Sequence, residues 1–469
     1  MRSSAILLVL LLALGATIRS DAARQSAART NFIVILADDQ GYGDLGSFGH
    51  PTIRTPNLDR MAGEGQRWTS FYGAHVCTPS RAQLLTGRLA VRTGLADGVL
   101  FPDSTGGLQP EEITIAELLK RRGYATAAIG KWHLGVLPQY LPMAQGFDSY
   151  FGVPYSNDMD QTGGMLSPEE KFRRYMNPKI EYFNVPLMRG DRIVERPAEQ
   201  STLTRRYMDE AIQFIKAHRS EPFFLYLAPN MPHMPLFRSE AFAGKSARGV
   251  YGDVIEELDW NVGRLLQTLR ELKLDSNTLV VYTSDNGPWA PYRENAGSAG
   301  LLKGAKGTTW EGGMREPSIF WWPGTIRSGV VTGIGSELDL LPTLARIAGV
   351  PAPADRVIDG YDLSDVLRRN APSPRDTMFF YGGEKLSAVR HGKYKAYFLV
   401  PTSTDGRGGA QPGSEPQLYD LDQDPSEKFD LAAQHPEIVA ELRQLAEAHK
   451  KTVVPVKNQI RTRTAGSGG

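Results

Sequence analysis

Short apolar runs alternate with longer amphipathic segments along most of the 469-residue chain. Apolar runs rich in β-branched residues predict buried strands, and apolar residues spaced three and four apart predict helices. The predicted strands span 32–37, 124–129, 223–228, 279–282 and 319–322, and the predicted helices span 57–64, 114–122, 202–219, 254–273 and 338–348. This alternation predicts one large α/β domain with a central, mostly parallel sheet flanked by helices. Residues 158–200 show little periodicity and form either a binding loop or surface packing.

The pattern changes beyond residue 350, where proline-rich turns at 351–354 and 372–374 indicate a boundary. The elements predicted beyond it are short strands at 377–381, 387–390 and 394–398, an exposed turn at 418–427 and a closing helix at 437–450. Short neighbouring strands of this kind predict a smaller C-terminal α+β domain with an antiparallel sheet. We therefore divide the chain into a large domain at 30–370, a C-terminal subdomain at 371–456 and a disordered tail at 457–469.

The amino terminus carries an apolar run at 5–16 after Arg2, followed by Ser20-Asp21-Ala22. This order is typical of a secretory signal peptide, which we place at 1–22. The run is too short to cross a bilayer comfortably, so we expect an exported protein without a membrane span. The formal net charge is +1, which gives no global attraction to nucleic acid or to a membrane surface.

Polar residues follow four of the predicted strands at the point where each strand ends. They are Asp38 and Asp39 after the first strand, Lys131 and His133 after the second, His233 after the third, and Asp285 and Asn286 after the fourth. Because ligand sites in open α/β sheets lie at the carboxyl ends of the strands, we expect these side chains to converge. The aspartates and Asn286 offer only oxygen ligands, which suit calcium or magnesium and not zinc.

Cys77 is the sole cysteine, and it begins the stretch CTPSRAQLLTGR at 77–88. Pro79 fits the first turn of a helix and Gly87 can end it, so Cys77 is predicted at a helix N-terminus. The helix dipole favours an anion there, and Arg81 follows one turn later. This arrangement suits a nucleophile, and the alternative is a buried structural cysteine. A single cysteine excludes an internal disulfide.

The sequence C-x-P-S-R followed by L-T-G-R at 77–88 resembles the signature of the type I sulfatases. The likeness covers nearly the whole mature chain and includes Asp38-Asp39, GKWH at 130–133, SDNG at 284–287 and LYD at 418–420. Within the family it is closest to arylsulfatase A and N-acetylgalactosamine-6-sulfatase, and it implies the alkaline phosphatase fold. The chain lacks the cysteines that form disulfides in the animal lysosomal members, which points to a bacterial protein, periplasmic or secreted.

The resemblance implies a role for each candidate residue. A maturation enzyme would oxidise Cys77 to formylglycine (3-oxoalanine), and a hydroxyl of its hydrate would attack sulfur. One calcium ion per chain would be bound by Asp38, Asp39, Asp285, Asn286 and the modified Cys77. Arg81 would hold the hydrate, His133 would act as its base, and His233 would protonate the leaving oxygen. The sulfate group would be bound by Lys131, Ser156, His233 and Lys303.

The resemblance therefore implies an enzyme that hydrolyses sulfate monoesters, either of galactose-type and N-acetylgalactosamine-type sugars or of aryl alcohols. A phosphate or phosphonate ester hydrolase of the alkaline phosphatase superfamily is the first alternative, since some of these enzymes share the formylglycine. A non-catalytic binding protein of the same fold is the second alternative, although every expected metal ligand and catalytic group is present in the sequence.

Overall fold

The computed structural model describes residues 29–413 and 415–463. The predicted signal peptide at 1–22 lies outside the described residues, as does the end of the predicted tail at 464–469. Within the described part of the chain, no helix combines the length and the apolar character that a membrane span requires.

The strands of the described chain form one large sheet, one four-stranded sheet and one two-stranded ribbon. In chain order they are β1 (Asn31–Ala37), β2 (Gln66–Tyr72), β3 (Ala125–Gly130), β4 (Ser149–Gly152), β5 (Leu187–Arg189), β6 (Arg192–Glu195), β7 (Phe223–Ala228), β8 (Thr278–Ser284), β9 (Arg315–Trp321), β10 (Gly329–Val331), β11 (Gly335–Ser336), β12 (Thr377–Gly382), β13 (Lys385–His391), β14 (Tyr394–Tyr397), β15 (Val400–Pro401), β16 (Ala410–Gln411) and β17 (Gln417–Asp420).

The helices lie between these strands and after the last of them. They are α1 (Pro56–Glu64), α2 (Cys77–Thr86), α3 (Ala90–Thr93), α4 (Ile115–Lys120), α5 (Pro168–Met176), α6 (Leu203–Ala217), α7 (Val250–Glu271), α8 (Glu311–Met314), α9 (Leu340–Ala348), α10 (Ser364–Arg369) and α11 (Pro436–Lys450).

The large sheet has the strand order β10-β2-β9-β8-β1-β7-β3-β4-β5-β6, with β11 also paired to β2. The four central strands β8, β1, β7 and β3 are neighbours and run parallel to one another. β9 runs antiparallel to both β8 and β2, and β5 and β6 continue the other edge in antiparallel pairs. The prediction of a central, mostly parallel sheet flanked by helices is confirmed.

Side chains of β1 pack alternately into two separate hydrophobic layers. Ile33 lies in the layer that includes Leu258 of α7, whereas Val34 lies in the layer that includes Leu85 of α2 and Leu344 of α9. Alternate residues of a strand point to opposite faces, so a strand covered on both sides is apolar throughout. The first polar side chains after β1 therefore come at its carboxyl end.

The C-terminal subdomain is an antiparallel sheet of order β12-β13-β14-β17, as predicted in kind. Leu442 and Ala446 of α11 are buried in the clusters that cover this sheet. The prediction of an exposed turn at 418–427 is wrong. Leu418 and Tyr419 belong to β17 and are buried, because they complete the sheet beside β14.

The tail predicted to be disordered from residue 457 is instead packed up to residue 463. The Gln459 N–H donates to Gly94 O at 2.8 Å, and the Thr105 N–H donates to Thr462 O at 2.8 Å. Ile460 is buried in the same hydrophobic layer as α9. These backbone hydrogen bonds and this apolar contact give the segment a defined place on the large domain.

Candidate active site

The carboxyl ends of the four central strands meet at one edge of the large sheet. Asp38 and Asp39 follow β1, Asp285 follows β8, Lys131 follows β3, and His233 lies in the loop after β7. These side chains are at most 3% exposed. The Asp39 N–H donates to Asp285 Oδ1 at 3.1 Å, and Lys131 Nζ donates to Asp38 Oδ2 at 2.7 Å. The strand ends therefore converge as the sequence predicts.

Helix α2 positions Cys77 at this edge of the sheet. Cys77 is its first residue, Val76 before it is extended, and Gly87 ends the helix in a left-handed conformation with φ 66°. All the residues of α2 are buried. The Cys77 Sγ atom lies 3.4 Å from Asp38 Oδ1 and 3.7 Å from Asp39 Oδ1. The helix N-terminus thus places the reactive atom of position 77 against the carboxylates that follow β1.

The surroundings of Cys77 oppose formation of a thiolate. Burial raises the pKa of the Cys77 thiol well above its usual value, and Asp285 and Asp38 raise it further, against the opposing effect of Lys131 and Lys306. The thiolate is the nucleophilic form of cysteine. The thiol itself is therefore not activated, although it lies at a helix N-terminus.

Two buried cations hold the carboxylates in place. Arg81 Nε and Nη2 donate to Asp285 Oδ2 at 3.2 Å and 2.9 Å, and Arg81 Nη1 donates to Lys131 O at 2.8 Å. Lys131 Nζ donates to both oxygens of Asp38. All four side chains are almost fully buried, so these charge-assisted hydrogen bonds act where water does not screen them.

The carboxylates differ in their pKa values because their neighbours differ. Burial raises the pKa of Asp39 to about 7, and Asp38 and Asp285 raise it while Lys306 opposes the change. Burial also raises the pKa of Asp285. Burial acts in the same direction on Asp38, but Lys131, His233 and Arg81 outweigh it and lower the Asp38 pKa far below its usual value. Burial and mutual repulsion therefore oppose the ionisation of Asp39 and Asp285 in the cluster.

These residues fit a hard divalent cation. Ligand atoms of Asp38, Asp39, Cys77 and His233 lie within 4.8 Å of one another. Asn286 Nδ2 donates to Asp39 Oδ1 at 2.7 Å, whereas the buried Asn286 Oδ1 has no hydrogen-bond partner among the described residues. Carboxylate and amide oxygens are the ligands that calcium prefers. The unpartnered amide oxygen and the raised carboxylate pKa values both favour a cation here.

The second lysine of this cluster, beside Lys131, is Lys306, and the prediction that Lys303 lies in it is wrong. Lys306 Nζ donates to Asp39 Oδ1 at 2.7 Å and to Asp39 Oδ2 at 2.8 Å, and it lies 3.4 Å from Cys77 Sγ. Lys303 Nζ instead donates to Glu427 O at 3.2 Å and lies 3.4 Å from the ring centre of Trp310. Both lysines lie in one glycine-rich loop, and the sequence LLKGAKG offers no feature that separates them.

Each histidine of the cluster has one ring nitrogen at a backbone carbonyl. His133 Nε2 lies 2.8 Å from Leu100 O, and the buried His133 Nδ1 has no partner among the described residues. His233 Nδ1 lies at Met234 O, and His233 Nε2 lies 3.5 Å from Asp39 Oδ2. Burial lowers the pKa of both imidazoles, so the ring nitrogens at the carbonyls carry the proton.

Ser156 contacts two of the other predicted sulfate-binding residues, Lys131 and His233. Its Oγ lies 3.3 Å from Lys131 Nζ and 3.4 Å from the ring nitrogens of His233. Ten of the predicted residues are buried at this edge of the sheet, two on helix α2 and the others on the loops after the strands: Cys77 and Arg81, then Asp38, Asp39, Lys131, His133, Ser156, His233, Asp285 and Asn286. Lys303 is the predicted residue that the structure places elsewhere, and Lys306 is the residue that the sequence analysis missed.

Comparison with known proteins agrees with this architecture. A family model described as "Sulfatase" matches residues 30–350, and one described as the C-terminal region of aryl-sulfatase matches residues 373–466. Arylsulfatase A of Homo sapiens is 43% identical over 439 residues, which cover 88% of this chain and 86% of that protein. N-acetylgalactosamine-6-sulfatase of Sus scrofa is 40% identical over 468 residues, with 92% and 87% covered.

A solved structure has the same fold. The crystal structure of PsFucS1 sulfatase from Pseudoalteromonas sp. matches with a TM-score of 0.82 and 29% identity, and the match covers 95% of this chain and 94% of that one. Sequence and structure therefore agree over both the large domain and the C-terminal subdomain. The chain belongs to the sulfatase family and is an arylsulfatase-like enzyme that hydrolyses sulfate esters.

Proposed function

We propose that this enzyme removes sulfate from sulfated carbohydrates of the galactose or N-acetylgalactosamine type, with formylglycine at position 77 and one bound calcium ion. The observation that carries the proposal is the position of Cys77. Its sulfur lies at the start of a fully buried helix, 3.4 Å from both Asp38 Oδ1 and Lys306 Nζ. The names of the two curated relatives, an arylsulfatase and an N-acetylgalactosamine sulfatase, support the substrate class.

The raised pKa of the Cys77 thiol supports a modified residue at this position. A neutral, buried thiol is a poor nucleophile, whereas a hydrated aldehyde in its place supplies an oxygen nucleophile. Cys77 is 1% exposed in the folded chain. A maturation enzyme therefore has to reach it before α2 packs against the sheet, so we expect the conversion to precede folding.

Asp38, Asp39, Asp285, Asn286 and the residue at position 77 would hold the calcium ion. When bound, the ion supplies positive charge that stabilises a negative oxygen at position 77 and on the sulfate group. Arg81 keeps Asp285 in position through its two hydrogen bonds. It thereby orients one metal ligand and lies one helical turn from position 77.

Three side chains would bind the sulfate group. Lys131 Nζ and Lys306 Nζ each contact both oxygens of one carboxylate, Asp38 and Asp39 respectively. Calcium bound by these carboxylates would free ammonium N–H groups for the sulfate oxygens. Ser156 adds a hydroxyl next to Lys131. Such preorganised donors stabilise charge that develops on the sulfate oxygens as the ester bond breaks.

The two histidines are suited to opposite proton transfers. The Nε2–H of His133 donates to Leu100 O, which leaves a lone pair on Nδ1 to accept a proton from the residue at position 77. The Nδ1–H of His233 donates to Met234 O, which leaves Nε2 to carry a proton to the leaving oxygen. A bound sulfate anion next to His233 raises its pKa, because it stabilises the protonated imidazole.

The proposal is tested with enzyme produced alongside a formylglycine-generating maturation enzyme. Peptide mass spectrometry should find an aldehyde at position 77, and elemental analysis should find one calcium per chain. The enzyme should hydrolyse galactose-type and N-acetylgalactosamine-type sugar sulfates faster than the matching phosphate or phosphonate esters. Full activity with an unmodified thiol, stoichiometric zinc in place of calcium, or a preference for phosphonate esters would each contradict the proposal.

We also propose that the protein is exported, on the basis of the apolar run and cleavage sequence at 1–22. Expression of the full chain in a bacterial host, followed by N-terminal sequencing of periplasmic and secreted fractions, tests this. A mature chain that begins after Ala22 would support export. An uncleaved chain confined to the cytoplasm would refute it.

A further inference from the structure

A chain of aromatic rings leads from the catalytic cluster to the surface. The Trp289 ring lies 5.2 Å from the His233 ring, and Lys306 Nζ lies 4.8 Å from the centre of the same Trp289 ring. The Tyr292 ring follows at 4.8 Å from Trp289, and the Phe172 ring at 5.9 Å from Tyr292. Each ring contacts the next, so an unbroken row of aromatic side chains connects Phe172 at the surface with His233 in the site.

A cleft of about 380 Å³ opens where these rings reach the surface. Phe172 and Tyr292 contribute to its apolar wall, and the cationic side chains Lys171, Arg293 and Arg407 surround it. Pockets that bind small organic ligands typically measure about 300–1,000 Å³ and combine an apolar wall with a few polar groups. The cleft has the size and the lining of a ligand subsite.

Two of its cations are available for an anionic ligand. Among the described residues, neither Lys171 nor Arg293 forms an ion pair, and Glu170, next to Lys171 in the chain, pairs with Arg173 and Arg174. The Arg293 guanidinium lies 5.8 Å from the ring centre of Phe172. Its backbone has φ 54° and ψ −117°, a conformation that non-glycine residues rarely adopt and that persists where the surroundings hold it.

We propose that this cleft binds a second anionic group of an oligosaccharide substrate, a sulfate or carboxylate on the sugar unit next to the one that carries the scissile sulfate. The inference rests on the proposed function, which assigns His233 to the leaving-group side of the site. Tyr292 in the cleft wall is separated from His233 by the ring of Trp289. The sugar ring lies against the aromatic wall, and the planar guanidinium of Arg293 binds the anion with two parallel hydrogen bonds. The substrate class is therefore a polyanionic oligosaccharide.

The test compares two galactose-type disaccharides that share one scissile sulfate, only one of which carries a second sulfate on the neighbouring unit. Wild-type enzyme should show a higher kcat/KM on the disulfated substrate, and this preference should shrink at high salt. The double variant Lys171→Gln/Arg293→Gln should lower the ratio of the two kcat/KM values about three- to tenfold, mainly through KM, because exposed charge pairs contribute modestly each. The control Arg121→Gln, an exposed arginine elsewhere on the chain, should leave the ratio unchanged.

The possible outcomes separate this inference from the proposed function. Cleavage of neither disaccharide nor of any monosaccharide sulfate by formylglycine-bearing enzyme would refute the proposed carbohydrate activity. Cleavage of both disaccharides with a ratio that the double variant does not change would refute the cleft alone. An equal loss on both substrates would also refute it, because the variant would then act on the catalytic cluster. A second variant, Phe172→Ala, should lower the same ratio through loss of the apolar wall.

Discussion

Replacement of Lys306 by methionine removes a cation from the catalytic cluster while it keeps a flexible side chain of similar length. Lys306 Nζ makes two hydrogen bonds to Asp39, and the two side chains are 11% and 2% exposed. Removal of one partner from a buried ion pair typically costs about 3–5 kcal/mol, since it leaves the other charge uncompensated. Loss of one preorganised donor from a charged transition state typically costs about 10²–10³ in kcat.

We therefore expect Lys306→Met to lower kcat/KM on a sugar sulfate at least about 10²-fold. Kinetics are measured at saturating calcium on preparations whose formylglycine content has been matched by mass spectrometry, and thermal unfolding is followed in parallel. The matched control is Lys303→Met, three residues earlier in the same loop. It loses the hydrogen bond to Glu427 O and a half-buried cation–π contact worth about 0.5–1 kcal/mol, but it keeps the contacts of Lys306 with Asp39, so its activity should fall much less.

One outcome of the comparison between Lys303→Met and Lys306→Met would refute the argument from the geometry of the loop. If Lys303→Met loses as much activity as Lys306→Met at equal formylglycine content and equal folded fraction, the loop has a different arrangement in the working enzyme. If only Lys306→Met loses activity, the contacts with Asp39 and Cys77 account for it. A loss in kcat with little change in KM would show that Lys306 acts mainly on the transition state.

Three further predictions concern single residues. Asp285→Ala should lower both the activity and the midpoint of thermal unfolding. Calcium should no longer raise that midpoint, because a ligand that binds only the folded state stabilises it. A full calcium-dependent shift in differential scanning fluorimetry would contradict the assignment of Asp285 as a calcium ligand. His233→Ala should cost about 10²–10⁴-fold on a sugar sulfate and distinctly less on an activated aryl sulfate; equal losses in parallel assays would mean that His233 does not protonate the leaving oxygen. Burial holds the pKa of Glu337 well above its usual value, so the folded chain keeps a proton that the unfolded chain loses as the pH rises above about 4.3. The free energy of unfolding then falls with rising pH by up to about 1.4 kcal/mol per pH unit. Glu337→Gln should therefore stabilise the enzyme against urea at pH 8 but not at pH 5. No gain in stability at pH 8 would contradict a protonated, buried Glu337.

The strands whose carboxyl ends form the site could be predicted, because a strand that is buried on both faces is a continuous run of apolar residues. The bounds of β7 agree with the prediction, and β1 begins one residue earlier, at Asn31. β8 extends beyond its predicted end at residue 282, because the polar side chains of Thr283 and Ser284 are buried and hydrogen-bonded. Thr283 Oγ1 hydrogen-bonds Ser318 Oγ at 2.7 Å, and the Gln40 N–H donates to Ser284 Oγ at 2.9 Å. Hydrogen bonds to distant residues are invisible to a pattern of apolar positions.

Elements in which polar and apolar residues are mixed could not be predicted in this way. β2 reads QRWTSFY, and its first residue, Gln66, is buried because its side-chain amide donates to Val366 O at 3.1 Å, 300 residues away. Helix α5 lies in the stretch without periodicity, yet it carries a recognisable start signal, since Ser167 caps it and Pro168 is its first residue. The capping sequence therefore marks the start of this helix, whereas the spacing of its apolar residues does not reveal it.

The choice between Lys303 and Lys306 depends on the C-terminal subdomain, which the sequence of the loop does not reveal. Lys303 turns away from the cluster because it donates to Glu427 O at 3.2 Å. Glu427 Oε2 also accepts the N–H of Glu311 at 2.8 Å, and Lys395 of β14 bridges the buried carboxylates of Glu311 and Glu427 at 2.7 Å and 3.3 Å. The loop is thus fastened on its outer side to the subdomain, which leaves Lys306 to face Asp39. None of the described residues of the C-terminal subdomain lies in the catalytic cluster, yet the contacts of the subdomain with Lys303 leave Lys306 to enter the cluster.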